Sequence, residues 1–99
     1  MNRVSTLDTD ALKNYFATQP VIRAWLFGSY SEGTADENSD IDLLVELDHS
    51  QPVGLKFVTM WLDLKALFKK EVDLLAVGGV SPFLQPNIDK QKKLIYERR

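Results

Sequence analysis

The chain has 99 residues, 44% of them hydrophobic and 26% charged, with a formal net charge of -2. That size and composition fit one soluble globular domain over residues 1–99. The absence of cysteine excludes disulfides, thiolate catalysis and cysteine–zinc sites, and the acidic balance argues against stable nucleic-acid binding, which calls for a basic surface.

The N-terminus lacks the apolar core of a signal peptide, and no run reaches the roughly 18–20 apolar residues of a membrane span. A cytoplasmic protein that does not enter the membrane is expected. Ser5-Thr6-Leu7-Asp8 reads as a capping box. After it Leu7, Ala11, Leu12, Tyr15 and Phe16 recur at helical spacing, predicting a short helix to about Thr18. Pro20 stops it. Val21 to Phe27 is branched and aromatic with only Arg23 polar, a strand covered on both faces. Gly28 ends that strand, and Ser29 to Glu32 reads as a helical turn before a polar loop. Asp40 to Leu47 is a second strand: Ile41, Leu43, Val45 and Leu47 share one face, and Asp40, Asp42, Leu44 and Glu46 the other.

A turn carrying His49 leads to a longer helix over Gly54 to Lys70, with a wide apolar stripe of Leu55, Phe57, Val58, Trp61, Leu62, Leu64 and Phe68. Glu71 to Val77 is a third strand with Asp73 near its start. Pro82 and Pro86 bracket a loop, Asn87 to Lys93 reads as a last helical piece, and Leu94 to Tyr96 as a fourth, edge strand. This order predicts a small mixed α/β (α+β) domain, a sheet of three to four strands with helices on one side.

Between Ala24 and Leu55 there is no Lys or Arg, yet seven of the fourteen acids lie there: Glu32, Asp36, Glu37, Asp40, Asp42, Glu46 and Asp48. Gathering acids costs energy through like-charge repulsion, and a divalent cation is the simplest offset. Asp40 and Asp42, two apart on a strand, place their carboxylates on one side with Cα atoms roughly 6.6 Å apart. Carboxylate oxygens suit Mg²⁺, which takes phosphate oxygens as further ligands. Asp73 would join them if the third strand pairs beside the second, making a site for one or two ions of the kind that serves phosphoryl transfer. Gly28 at a strand end lets backbone amides approach a phosphate, and the Ser29 hydroxyl adds a donor. Taken singly, an Asp-x-Asp marks a solvated strand edge and a Gly-Ser a turn; it is the combination that points to a site.

Gly28-Ser29, ten residues, then Asp40-Ile41-Asp42 resembles the signature of the DNA polymerase beta-like nucleotidyltransferase superfamily. LFGSYSEG, SDIDLLVEL and VDLL together look like its smallest branch, the minimal nucleotidyltransferases, and the resemblance covers almost the whole chain as one such domain. It implies that Gly28 and Ser29 hold the triphosphate of ATP and that Asp40, Asp42 and Asp73 form the catalytic, metal-binding triad for Mg²⁺, two ions in all. It further implies transfer of AMP with release of pyrophosphate, and a HEPN-domain ribonuclease toxin as partner. In that pairing the nucleotidyltransferase is the antitoxin and adenylylates a toxin tyrosine.

The resemblance has one departure. Members often carry arginine in the loop, as in GSRARG or GSFSRG, where Tyr30 and Glu32 stand here. An acid near the triphosphate weakens ATP binding, so Glu32 favours a rival reading: a catalytically weak nucleotidyltransferase-fold binding module that neutralises its partner by contact. A third reading is a subunit completing a small-molecule nucleotidyltransferase. The chain has no room for an acceptor-binding domain, which favours an acceptor that is itself a protein. Trp25 and Trp61 read as core, and the Lys90 to Arg99 tail as a solvated basic surface.

Overall fold

The computed structural model describes residues 7–36 and 38–98. In chain order the elements are α1 (Thr9–Phe16), β1 (Val21–Phe27), α2 (Ser29–Glu32), β2 (Ile41–Leu47), α3 (Lys56–Phe68), β3 (Val72–Ala76), α4 (Gln85–Gln91) and β4 (Lys93–Glu97). The strands form one sheet in the order β3-β2-β1-β4. β1 runs antiparallel to both β2 and β4, while β2 and β3 are parallel and joined through α3. The mixed α/β sheet packed against helices is therefore present, with β4 at the edge.

Strand alternation decides which side of the sheet each residue serves. Ile41, Leu43 and Val45 of β2 and Val72 and Leu74 of β3 enter the main core, where Leu12 and Phe16 of α1 and Met60 and Leu64 of α3 cover them. Their neighbours Asp42, Glu46 and Asp73 consequently face the other way. Arg23 ties that second face together, with Nη1 at 2.6 Å from Glu46 and Nε at 2.9 Å from Glu97, its partners in register on the two flanking strands. Tyr15 Oη donates to Asp63 Oδ2 at 2.7 Å and fastens α1 to α3. Trp61 Nε1 donates to Val72 O at 2.7 Å and fastens α3 to β3.

Several local expectations are corrected. Ser5 of the expected capping box lies outside the described residues; the cap observed is Asp8, whose Oδ1 accepts from Ala11 N at 3.0 Å. The helices do not all lie on one side. α4 sits over the acid-bearing face, where its Ile88 is buried apart from the main core. α4 also starts at Gln85 with Pro86 inside its first turn, where a missing N–H costs nothing. On α3 the apolar stripe is narrower than expected: Met60 and Leu64 are buried, whereas Leu55, Val58 and Leu62 are exposed. Among the described residues no helix is long and apolar enough to cross a membrane.

Candidate active site

Phe27, Asp42 and Asp73 lie side by side across β1, β2 and β3, each in register with the next. The sheet thus delivers two of the three acids singled out from sequence to one point. Asp42 is half-buried and its side chain hydrogen-bonds that of Asp73. Burial, then that bond and the Asp73 charge, then the charge of Asp40, push the Asp42 carboxyl up to about 7. The charged groups that raise it, Asp73 and Asp40, are both acids. Asp40 is exposed and stands one residue ahead of β2, felt by Asp42 through its charge. Among the described residues no three acidic or histidine side chains close around a single point.

Gly28 follows β1 directly and turns the chain into α2. Its φ of 72° and ψ of -151° belong to glycine alone. A Cβ here would overlap Asp42 Oδ2 and stand 3.1 Å from its Cγ, so the backbone of the Gly-Ser turn lies against the acid pair. Ser31, buried inside the turn, donates from Oγ to Gly28 O at 3.0 Å, and Glu32 N donates to the same oxygen at 3.2 Å. Ser29 opens α2 immediately beside this backbone.

The donor set fits a hard divalent cation. Two carboxylates, a half-buried Asp42 and an exposed Asp73, meet in register on adjacent strands with a third acid nearby, and their charges repel wherever both are ionised. A cavity of about 400 Å³ opens beside them, walled by Phe27, Leu75, Leu84 and Ile88, and Gln91 also lines it. A larger hollow of about 700 Å³ between α1 and β4 contains none of these acids.

Residues 10–99 match the polymerase beta nucleotidyltransferase family. The chain belongs to that family. It is 38% identical over 68 residues to MJ0435 of Methanocaldococcus jannaschii, spanning 69% of this chain and 72% of that one. Over 50 residues it is 44% identical to protein adenylyltransferase MntA of Thermococcus cleftensis, half of each chain. In fold it is similar to a toxin–antitoxin crystal structure with AMP-PNP, at a TM-score of 0.78 and 24% identity, over 94% of this chain and 76% of that one. It is also similar, at a TM-score of 0.63 and 20% identity, to a chain in the tri-AMPylated Shewanella oneidensis HEPN toxin complex with MNT antitoxin, over 92% and 74%. The small nucleotidyltransferase fold is thus shared with these complexes.

Two residues beside this candidate site escape a reading of the sequence. Lys70 follows α3 and places Nζ at 3.4 Å from Ser39 O and 6.0 Å from the Tyr30 ring. The loop that holds no Lys or Arg of its own receives one from 31 residues away. Gln91, at the end of α4, accepts from Gly28 N at 3.3 Å. Neither residue belongs to a local motif; α3 ends at Phe68, and Lys69, in the left-handed region, turns the chain there.

Proposed function

We propose that this nucleotidyltransferase moves AMP from ATP, with Mg²⁺, onto a hydroxyl of a partner protein, a tyrosine of a HEPN-type toxin, and so acts as its antitoxin. The observation that carries the reading is the meeting of Asp42 and Asp73 beside the Gly28-Ser29 turn. The family supplies the reaction class. The adenylyltransferase relative and the AMPylated-toxin complex supply the nucleotide and the partner.

In this mechanism Asp40, Asp42 and Asp73 would hold two Mg²⁺ ions, and Gly28 and Ser29 would hold the triphosphate through backbone amides and the Ser29 hydroxyl. When bound, the metal neutralises the triphosphate and lowers the pKa of the attacking hydroxyl. The acceptor oxygen attacks the α-phosphorus, the bond from that phosphorus to the bridging oxygen breaks, and pyrophosphate leaves. Asp73, the more exposed of the facing acids, takes the proton that the hydroxyl gives up. Lys70, against Tyr30 and Ser39, would bring a positive charge to a loop that lacks arginine.

Intact mass tests the proposal. The protein is incubated with ATP, Mg²⁺ and a HEPN-domain partner, and the reaction is repeated with Asp40→Asn plus Asp42→Asn. Partner mass rising by whole AMP units only with the aspartates intact is the expected result. A partner that stays unmodified, yet is bound and silenced equally by the mutant, would refute transfer and leave a contact inhibitor.

A further inference from the structure

Gly28 is gripped through both of its backbone polar groups, the N–H and the carbonyl. Its carbonyl accepts from Ser31 N at 3.1 Å, Ser31 Oγ at 3.0 Å and Glu32 N at 3.2 Å. Those donors are local and come with the turn itself. Its N–H donates to Gln91 Oε1 at 3.3 Å, across 63 residues of sequence. Glycine is the residue with the widest backbone freedom, so a Gly28 that must hold one orientation against Asp42 needs an external restraint.

Rigid elements deliver that restraint. Gln91 is the last residue of α4, whose Ile88 is buried and whose end is closed by Lys92 N donating to Ile88 O at 2.8 Å. Two residues later Lys93 opens β4 and pairs with Leu26, just before the end of β1. The Gln91 side chain therefore bridges α4 to the turn after β1, and it lines the cavity that Asp42 and Asp73 border. Its chemistry suits the place. A neutral amide offers an acceptor without adding charge to an acidic corner; a carboxylate would add repulsion, and an ammonium has no acceptor.

We propose that Gln91 is a positioning residue for nucleotidyl transfer: it fixes the Gly28 N–H and thereby the spacing between the Gly28-Ser29 turn and the Asp42 carboxylate. The inference rests on the reading that this turn holds the triphosphate. Gln91 acts through Gly28 rather than on the reacting atoms, so its loss should weaken nucleotide binding while leaving the fold in place.

Calorimetric titration of Mg·AMP-PNP into wild type, Gln91→Met and Gln85→Ala tests this, with melting temperatures and the Gly28 amide resonance read on the same samples. Met keeps the length of the side chain and removes the acceptor. Losing one hydrogen bond of ordinary strength corresponds to about tenfold weaker binding. That loss is expected in Gln91→Met, with a shifted Gly28 resonance and a near wild-type melting temperature. Gln85→Ala, on the same helix but with its side chain bonded to Asp89, should bind as wild type does. Equal affinity in wild type and Gln91→Met would overturn the inference and leave the nucleotide reading standing. Amide exchange in the unmutated protein gives a check that needs no variant: Gly28 should be protected, and exchange at the solvent rate would overturn the clamp. A wild type that binds no Mg·AMP-PNP while Gly28 stays protected would overturn the nucleotide reading, and the inference with it.

Discussion

Replacing Gly28 by Ala probes how tightly the turn and the acid pair are built into one another. Two separate costs are predicted. The backbone at φ 72° and ψ -151° lies where a residue with a Cβ is strained by roughly 1–3 kcal/mol. The new methyl also overlaps Asp42 Oδ2, an overpacking cost of roughly 1–3 kcal/mol. The sum, roughly 2–6 kcal/mol, is a large share of the 5–15 kcal/mol (about) that holds a small domain together. The two costs can be separated. Truncating Asp42 to Ala removes the overlapping oxygen and leaves its Cβ at 3.4 Å, an ordinary contact. Urea unfolding of wild type, Gly28→Ala, Asp42→Ala and the double mutant then gives a coupling energy. The double mutant should recover roughly 1–3 kcal/mol relative to additivity, the steric part alone. Additive losses within about 0.5 kcal/mol would show that Gly28 does not touch Asp42, and an unaffected Gly28→Ala would refute the strained turn as well.

Two further predictions concern stability. Asp42 has an ordinary value of 3.8 when unfolded and about 7 in the fold, so the native state binds the extra proton between those limits. Its contribution is fully present below about 3.8 and is lost as pH rises through about 7; the metal-free protein should therefore lose stability over that window, by on the order of 1–2 kcal/mol for a group this exposed to screening. Urea midpoints across that range check it: Asp42→Asn or added Mg²⁺ should flatten the slope, and a wild type that gains stability from this group would contradict the facing acids. Leu64→Ala, at a fully buried position on α3, should cost about 2–5 kcal/mol. Leu62→Ala, two residues away and half-exposed, should stay within about 0.5 kcal/mol in the same unfolding assay.

What could be read from sequence was whatever depends on local pattern. Val21 to Phe27 is a branched and aromatic run with only Arg23 polar, bounded by Pro20 and Gly28, and it is a strand over those residues. The alternation after Asp40 correctly separates Asp42 from Ile41 and Leu43, and the apolar run around Asp73 correctly makes a strand. Pattern fails where a choice depends on distant partners. Pro86 looked like a loop residue because a proline at the start of a helix and one in a loop carry the same local signal. Leu55 and Val58 looked like core because the stripe on α3 is wider than the part the sheet covers. Lys70 and Gln91 carry no local signal because a lysine and a glutamine at helix ends are ordinary until the fold brings them to Ser39 and Gly28.

The core itself fixes the candidate site. β2 and β3 are parallel, with Ile41 opposite Val72, Asp42 opposite Asp73 and Leu43 opposite Leu74. Side chains alternate with a period of two, so a one-residue turn of β3 about the sheet would send Asp73 into the core and bring Val72 and Leu74 out. Val72 and Leu74 are buried under α3, and Trp61 further holds Val72 through its carbonyl. Burial of those two apolar residues therefore forces Asp73 onto the opposite face. The same logic on β2 places Asp42 there through Ile41 and Leu43. When both are ionised, like-charge repulsion would part the two acids, yet separating them would require withdrawing four apolar side chains from the core. The like-charged pair is thus imposed by hydrophobic register, and a pair held in this way is available to a cation without having to be assembled by it.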